Sequence, residues 1–244
     1  MQTSTSIVSR HPANPILRAA DLPYESSLVF NAGIARWQGR YAMLFRNDAG
    51  FSPDDNSKPH FTNVGLAFSD DGVSWQVESE PVFDVTRVAD RIQPFFANRD
   101  VREEVSRFYD PRLTVIDDVG YLCFAIDTQH GIRGGIAQSR DLRDWEFLHI
   151  TAPDNRNMVL FPERIGGRYW RLERPFPIYG RGGKQEAFDI WVSSSENLRD
   201  WSSADLVAGV EDFPFCNRKI GPGAPPIRVD EGWLSLTHAV DFDE

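Results

Sequence analysis

Cysteine is scarce in this chain, with two residues in 244, and the two stand without motif spacing. Cys123 falls in an apolar strand pattern and Cys216 between Phe215 and Asn217. Both are expected as buried thiols, which argues against a disulfide framework and a thiolate metal site. Long apolar runs are missing too. No segment approaches the roughly 20 apolar residues of a membrane span, and the opening MQTSTSIVSRHPANP has no run of signal-peptide length, so a cytoplasmic setting is the expectation. Positive charge is in deficit: 26 Lys and Arg against 36 Asp and Glu give a net charge of −10. Nucleic acid and acidic membrane surfaces reward a basic face, so neither is expected as a partner. A basic pocket in such a chain would need a local cause. The Gly-rich stretch FPIYGRGGKQE (176–186) lacks phosphate-loop spacing and a following helix, so it reads as a loop and not as a nucleotide cradle.

What the chain does have is repetition. VGLAFSDDGVSW (Val64 to Trp75), GGIAQSRDLRDW (Gly134 to Trp145) and IWVSSSENLRDW (Ile190 to Trp201) are ungapped copies of one another. Each reads as a strand of small and apolar residues, a polar Ser-x-Asp/Asn turn, and a Trp that folds back onto the strand. Successive tryptophans lie 70 and 56 positions apart. That is too long for a solenoid coil and suits a four-stranded sheet with its loops, the blade of a β-propeller. These tryptophans are therefore expected to pack blades, as are Trp37, Trp170 and Trp233, with Trp170 or Phe176 as candidate borders of a binding site.

A second repeat runs out of phase with the first. Phe30 to Arg46, Asp110 to Ala125, Leu160 to Leu172 and Ala224 to Thr237 each read as strand, tight polar turn and aromatic-led strand. These are four β-hairpins, with Gly39, Gly120, Gly166 with Gly167, and Gly232 placed at the turns. With 41% hydrophobic residues the chain can bury a substantial core, and an all-β chain of this length is expected to form a single domain, 1–244. The fourth hairpin has no Trp-closed copy after it, so the expectation is about four blades with the fourth incomplete. Open sheet edges would then favour a homo-oligomer.

First strands of propeller blades line the central channel. On this reading the strand entries carry Asn31, Asp110, Arg156 with Asn157, Arg174 and Lys219, while Arg46 and His238 lie toward the ends of the first and fourth hairpins. One carboxylate stands among several cations.

The segments FNAG, YDPRLT (Tyr109 to Thr114), NRNMVLFPERIGGRYWRLERP (Asn155 to Pro175), FDIWVSSSENLRDW and KIGPGAPPIRVDEGWL (Lys219 to Leu234) resemble glycoside hydrolase family 130, the β-mannoside phosphorylases. The likeness runs from about Asn14 to the last residue. It implies a five-bladed β-propeller that splits a terminal β-1,4-mannosidic bond with inorganic phosphate as co-substrate, inverting the anomeric carbon to give α-mannose 1-phosphate. It implies no further cofactor and no metal. It also implies that Asp110 is the acid, delivering its proton through a hydroxyl of the mannosyl residue. Arg156, Asn157, Arg174, Lys219 and His238 match the phosphate-binding positions, and Asn31 and Arg46 those that bind the mannosyl ring. One acid suffices because phosphate is already an anionic nucleophile, whereas an inverting hydrolase needs a second carboxylate to activate water.

The residues alone leave plainer readings open. Asp110 is also suited to cap a turn and pair with Arg112, Arg and Lys are usually solvated, and Asn31 and His238 fit a turn and a packed strand. Relatives continue through a fifth blade that supplies an aspartate at the mannosyl ring and a tyrosine near phosphate, so the expectation is that this polypeptide is an incomplete or impaired member. Two rivals stay in view: a glycoside hydrolase on the same propeller, and a non-catalytic carbohydrate-binding propeller.

Overall fold

The computed structural model describes residues 9–50, 60–176 and 187–241. About half of these are in strands, and the sheets succeed one another along the chain as blades of a β-propeller. Strands β1 (Leu28–Trp37), β2 (Arg40–Ala49), β3 (Phe61–Ser69) and β4 (Gln76–Val77) form the first sheet, in that order. A short helical segment, α1 (Val85–Ile92) and α2 (Val101–Glu104), leads to the second sheet. That sheet is β5 (Val105–Ile116), β6 (Val119–Thr128), β7 (Gly131–Ser139) and β8 (Glu146–Ile150), and the third is β9 (Asn155–Leu160), β10 (Tyr169–Pro175), β11 (Ile190–Ser195) and β12 (Asp205–Ala208). All neighbours are antiparallel. Two short pairs follow: β13 (Lys219–Pro222) with β16 (Thr237–Val240), and between them β14 (Ile227–Val229) with β15 (Gly232–Leu234). Together they make one hairpin whose register slips between Pro222 and Ile227.

The three copied segments are the third strands and the turns after them. In each turn a serine hydroxyl accepts from the backbone while an Asp or Asn side chain accepts from the amides two and three residues beyond it. Ser139 Oγ accepts from Leu142 N at 2.8 Å, and Asp141 Oδ1 accepts from Arg143 N and Asp144 N at 2.8 Å. Ser69 with Asp71 and Ser195 with Asn197 repeat the pattern. The residue after the cap is left-handed in every copy: Gly72, Leu142 and Leu198 have φ of 75°, 62° and 64°. That conformation brings the Trp back, so that Trp145 and Trp201 donate from Nε1 to the carbonyls of Leu142 and Leu198 at 3.0 and 3.2 Å.

The hairpins are present, with one correction. The β1–β2 turn is Gln38-Gly39, both left-handed. The β5–β6 turn, however, is made by Asp117 and Asp118, with φ of 50° and 59°, and not by Gly120. Gly120 lies inside β6 against the Leu142 side chain. Short polar side chains tolerate the left-handed region, so an Asp-Asp pair serves as well as a glycine.

Apolar residues fill the spaces between successive sheets. Leu44, Leu66, Phe108, Phe124 and Trp145 join sheets one and two; Cys123, Ile136, Met158 and Leu198 join two and three; Val159, Leu172, Ile190 and Ile220 join the third to the last hairpin. Each large side chain buried this way contributes about 1.5–3 kcal/mol. The helices were not expected from the strand repeats. They wedge Val88, Ala89, Ile92 and Val101 into the first interface, and Asp84 caps α1 by accepting from Arg87 N at 2.8 Å. Among the described residues no helix is long and apolar enough to cross a membrane.

Candidate active site

The inner strands of the three sheets share one irregularity. β1 bulges between Phe30 and Gly33, β5 between Tyr109 and Arg112, and the β9–β10 register shifts between Leu172 and Arg174. The residue at each kink is left-handed: Asn31 at φ 49°, Asp110 at 54° and Asn157 at 57°. A bulge re-aims the side chain it carries, and here it lets side chains from different sheets meet. Asn31 Nδ2 donates to Asp110 Oδ1 at 2.6 Å. The inner strands come this close because Gly33 has no side chain, since a Cβ there would fall on the Leu113 backbone nitrogen.

Opposite each kink, on the second strand, stand Arg46, Ala125 and Arg174, paired with Phe30, Tyr109 and Arg156. The Arg46 guanidinium packs over the Phe30 ring at 4.4 Å and comes within 3.5 Å of Asp110 Oδ1 through Nη1. Its other nitrogens are held by Asp48: Nε donates to Oδ1 at 2.8 Å and Nη2 to Oδ2 at 2.7 Å. Both donors aimed at Asp110 reach Oδ1, so a proton on the acid form belongs on Oδ2. Arg112 does not pair with Asp110. Its Nε donates to the Gly223 carbonyl at 2.7 Å and its Nη1 to that of Pro111 at 3.1 Å. The reading of Asp110 as a turn cap paired with Arg112 therefore fails, because the residue sits in a strand bulge and its contacts cross to the first sheet.

The cations gather on the other flank. Arg174 is 2% exposed. Its Nη1 donates to the Ile220 carbonyl at 3.5 Å and to His238 Nε2 at 3.3 Å, and its Nε has no partner. Burial, together with the charge of Arg156, lowers its pKa to about 10, with Asp110 opposing. Lys219 is likewise lowered, by burial and by Arg174, Arg156 and Arg218. His238 stands open to solvent at residue level, yet its ring is hemmed in; desolvation and the charges of Arg174, Arg112 and Lys219 lower it to about 4. It is a neutral imidazole at neutral pH, accepting at Nε2. Gly221 makes room for this contact, since a Cβ there would lie 2.7 Å from His238 Cε1 and 2.9 Å from Arg174 Nη1. The Arg156 guanidinium lies over Phe176 at 5.4 Å, and the buried Asn157 Oδ1 has no partner. Among the described residues no carboxylate forms an ion pair with Arg156, Arg174 or Lys219. These cations repel one another and leave donors unused, which is the environment an anion would relieve.

All eight expected site residues thus lie at one end of the sheets. Two placements differ from the sequence reading. Arg174 is at the exit of a second strand, not a strand entry, and Arg156, Asn157 and Arg174 share one sheet, so the cation set spans the third sheet and the last hairpin only. Trp170 lies at the far end of β10, donating to the Ile165 carbonyl at 3.0 Å, and borders no part of the site. Phe176 does border it, while the remainder of that loop (177–186) lies outside the described residues. The sequence reading missed Asp48 and the Tyr109, Asp127 and Arg107 cluster. Asp127 accepts from the Tyr109 hydroxyl at 2.7 Å and from Arg107 Nε at 2.6 Å. Burial and the neighbouring Asp127 push the Tyr109 hydroxyl up to about 12. Asp48 had a signal, since it lies two residues from Arg46 on one strand face.

The family model described as β-1,4-mannooligosaccharide phosphorylase, glycoside hydrolase family 130, matches residues 8–244. The chain is 26% identical over 231 residues to a 1,2-β-oligomannan phosphorylase of Thermoanaerobacter sp., covering 93% of this chain and 69% of that one. It is 30% identical over 243 residues to a β-1,4-mannooligosaccharide phosphorylase of Ruminococcus albus, covering 96% and 64%. Among solved structures, the β-1,2-mannobiose phosphorylase of Listeria innocua in complex with β-1,2-mannobiose superposes with a TM-score of 0.76 at 21% identity, covering 95% of this chain and 75% of that one.

Proposed function

The chain belongs to glycoside hydrolase family 130, and from that premise we propose that it cleaves terminal β-1,4-linked mannosides by inverting phosphorolysis. Phosphate is held by Arg174, Arg156, Lys219, Asn157 and His238, while Asn31 and Arg46 contact the mannosyl ring beside Asp110. A phosphate oxygen attacks the anomeric carbon, the bond to the leaving oxygen breaks, and that oxygen takes the proton carried by Asp110 Oδ2. The resemblance implies passage of that proton through a sugar hydroxyl. The products are α-mannose 1-phosphate and a sugar one residue shorter.

One observation carries this reading: the nearly fully buried Arg174 has no carboxylate partner among the described residues and is flanked by Arg156 and Lys219, next to a single carboxylate. A hydrolase needs a second carboxylate to activate water and gains nothing from this cation set. A non-catalytic sugar-binding propeller needs neither acid nor cations.

The test is incubation of the protein with β-1,4-mannobiose, with and without phosphate, assaying mannose 1-phosphate and free mannose. Phosphate-dependent formation of the α-1-phosphate supports the proposal. Release of free mannose at equal rates in both arms overturns it in favour of a hydrolase. Running β-1,2-mannobiose alongside settles the linkage, and preference for that sugar would overturn the 1,4 assignment alone.

A further inference from the structure

Asp48 belongs to none of the groups assigned above, yet it is 6% exposed and makes three strong bonds. Its Oδ1 accepts from Arg46 Nε and from the Thr62 hydroxyl, each at 2.8 Å, and its Oδ2 accepts from Arg46 Nη2. This two-point fork fixes the plane of the guanidinium. Only Nη1 is left to face Asp110, and it does so at 3.5 Å, longer than either bond to Asp48. Arg46 is thus shared unequally between two carboxylates, and the share going to the acid is the smaller.

We propose that Asp48 is a positioning residue that engages the Arg46 guanidinium and so keeps it from closing an ion pair with Asp110, leaving Asp110 able to carry the proton the leaving group needs. The proposal rests on the assignment of Asp110 as the acid. Cations face that carboxylate from every side: Arg46 on β2, Arg112 on its own strand, Arg174 on β10, with the neutral His238 on β16 and the Asn31 amide on β1. Any of these donors that closes onto Asp110 ties up its carboxylate. Asp48 opposes this in two ways. It adds a negative charge behind Arg46, and it uses up the donors that would otherwise swing onto Asp110. Burial works against the charge on Asp48, but the bonds from Arg46 and Thr62 and the charges of Arg46 and Arg107 outweigh it, so its pKa lies below the ordinary carboxylate value and it is ionised throughout the working range.

The counter-intuitive consequence is that neutralising Asp48 makes the neighbouring acid harder to protonate. In Asp48→Asn the opposing charge is gone and Arg46 is free to pair with Asp110. The titration of the Asp110 carboxyl, followed by carbon NMR and assigned with Asp110→Asn, is expected to move down by about one unit, as for a carboxylate gaining a cationic partner. The alkaline limb of kcat/KM should move down with it, while KM for phosphate holds. Placing the same substitution on Arg46→Gln should abolish the shift, which separates positioning from general structural damage. If Asp48→Asn does not fold, Thr62→Val, which removes one of the three bonds to Asp48, should give a smaller shift in the same direction. An unchanged or upward Asp110 titration, or an equal shift without Arg46, overturns the proposal. The NMR readout needs no turnover, so absence of mannose 1-phosphate from the unmodified protein would refute the proposed function and leave this test standing.

Discussion

Replacing Arg174 by Met should have opposite effects on stability and on phosphate binding. The guanidinium is 2% exposed, has no carboxylate partner among the described residues, and leaves its Nε without a hydrogen bond. Folding must therefore bury a charge that recovers little, beside the repelling charge of Arg156. Exchange for an apolar side chain of similar length removes that cost. Replacing buried charge with packed apolar atoms stabilises by roughly 1–4 kcal/mol in other proteins. At about 2–4 °C per kcal/mol for a chain of this size, the melting temperature without phosphate should rise by several degrees. Phosphate binding should move the other way. One charge-assisted bond contributes about 1.5–3 kcal/mol, so loss of its contact with a bound phosphate should weaken the dissociation constant roughly 10- to 150-fold. The assay is thermal melting across a phosphate titration. The unmodified protein should gain stability with phosphate, by about 2.7 kcal/mol at a hundred times the dissociation constant, and the variant should start higher and gain little. A variant that melts lower without phosphate, and loses mannoside and phosphate affinity equally, would show that Arg174 is a structural residue and not a phosphate ligand.

Asp110→Asn keeps a side chain that tolerates φ of 54° but has no acidic proton; turnover should fall at least ~100-fold with mannoside binding kept, and near-normal turnover would remove Asp110 from the reaction. Asn31→Gly keeps the left-handed backbone and deletes the 2.6 Å bond to Asp110; kcat/KM should fall roughly 10-fold or more, and an unchanged value would make Asn31 a turn residue. His149, whose Nδ1 donates to the Arg199 carbonyl at 2.9 Å, is lowered to about 4 by burial and by Arg171. Because the unfolded chain binds that proton near pH 6.5 and the folded one does not, stability should fall as pH drops from about 6.5 toward 4. His149→Gln should flatten that part of the urea-denaturation profile, and an unaltered slope would count against it. In Gly33→Ala the new methyl meets Arg112 and Leu113 backbone, which cannot swing aside; melting should drop by the equivalent of ~1–3 kcal/mol, and a neutral result would refute the close approach of β1 and β5.

How much of this was legible depended on whether a feature was local. The Ser-x-Asp/Asn turns could be read because their hydrogen bonds lie within three residues, as Ser139 and Asp141 show. The tryptophans followed from the same turns. The Asp117-Asp118 turn was not legible beside Gly120, because both residue types enter the left-handed region and only the pairing of Ile116 with Val119 decides between them. The helices α1 and α2 carried a signal, an Asp84 cap before Val85, Val88, Ala89 and Ile92, that the strand repeats overshadowed. For the candidate site, the family motifs marked the eight residues that the structure places at one end of the sheets, and the kinks that aim three of them were not legible. A bulge is decided by how two strands pair, so Asn31, Asp110 and Asn157 align as one position only after the hairpins are paired. Asp48 matters through its geometry on Arg46, which spacing of two suggests and only coordinates define.

The repeat also explains how a symmetric scaffold can yield an asymmetric site. Each inner strand offers one kinked side chain, and each neighbouring strand one residue facing it. The kinks are filled by an amide, an acid and an amide, and the facing positions by Arg46, Ala125 and Arg174. The two arginines occupy the same place in their sheets but differ in what lies behind them. Arg46 has Asp48 two residues on, and its charge is largely spent there. The residue two beyond Arg174 is Phe176, which offers no charge, so the Arg174 guanidinium stays electrostatically unsatisfied. On the proposed function, this one small difference in sequence makes a repeated arginine a tether on the acid side and an anion receptor on the other. Asp110 lies between them, with donors from the first sheet on one flank and the cations of the third sheet and last hairpin on the other. The proposed inverting displacement requires that separation, because nucleophile and leaving group must occupy opposite faces of the anomeric carbon. Grafting the contrast the other way, with Phe176→Asp supplying Arg174 with its own carboxylate, should abolish phosphate binding while leaving the fold intact. If phosphate still bound as tightly, the vacancy behind Arg174 would not be what makes it a receptor.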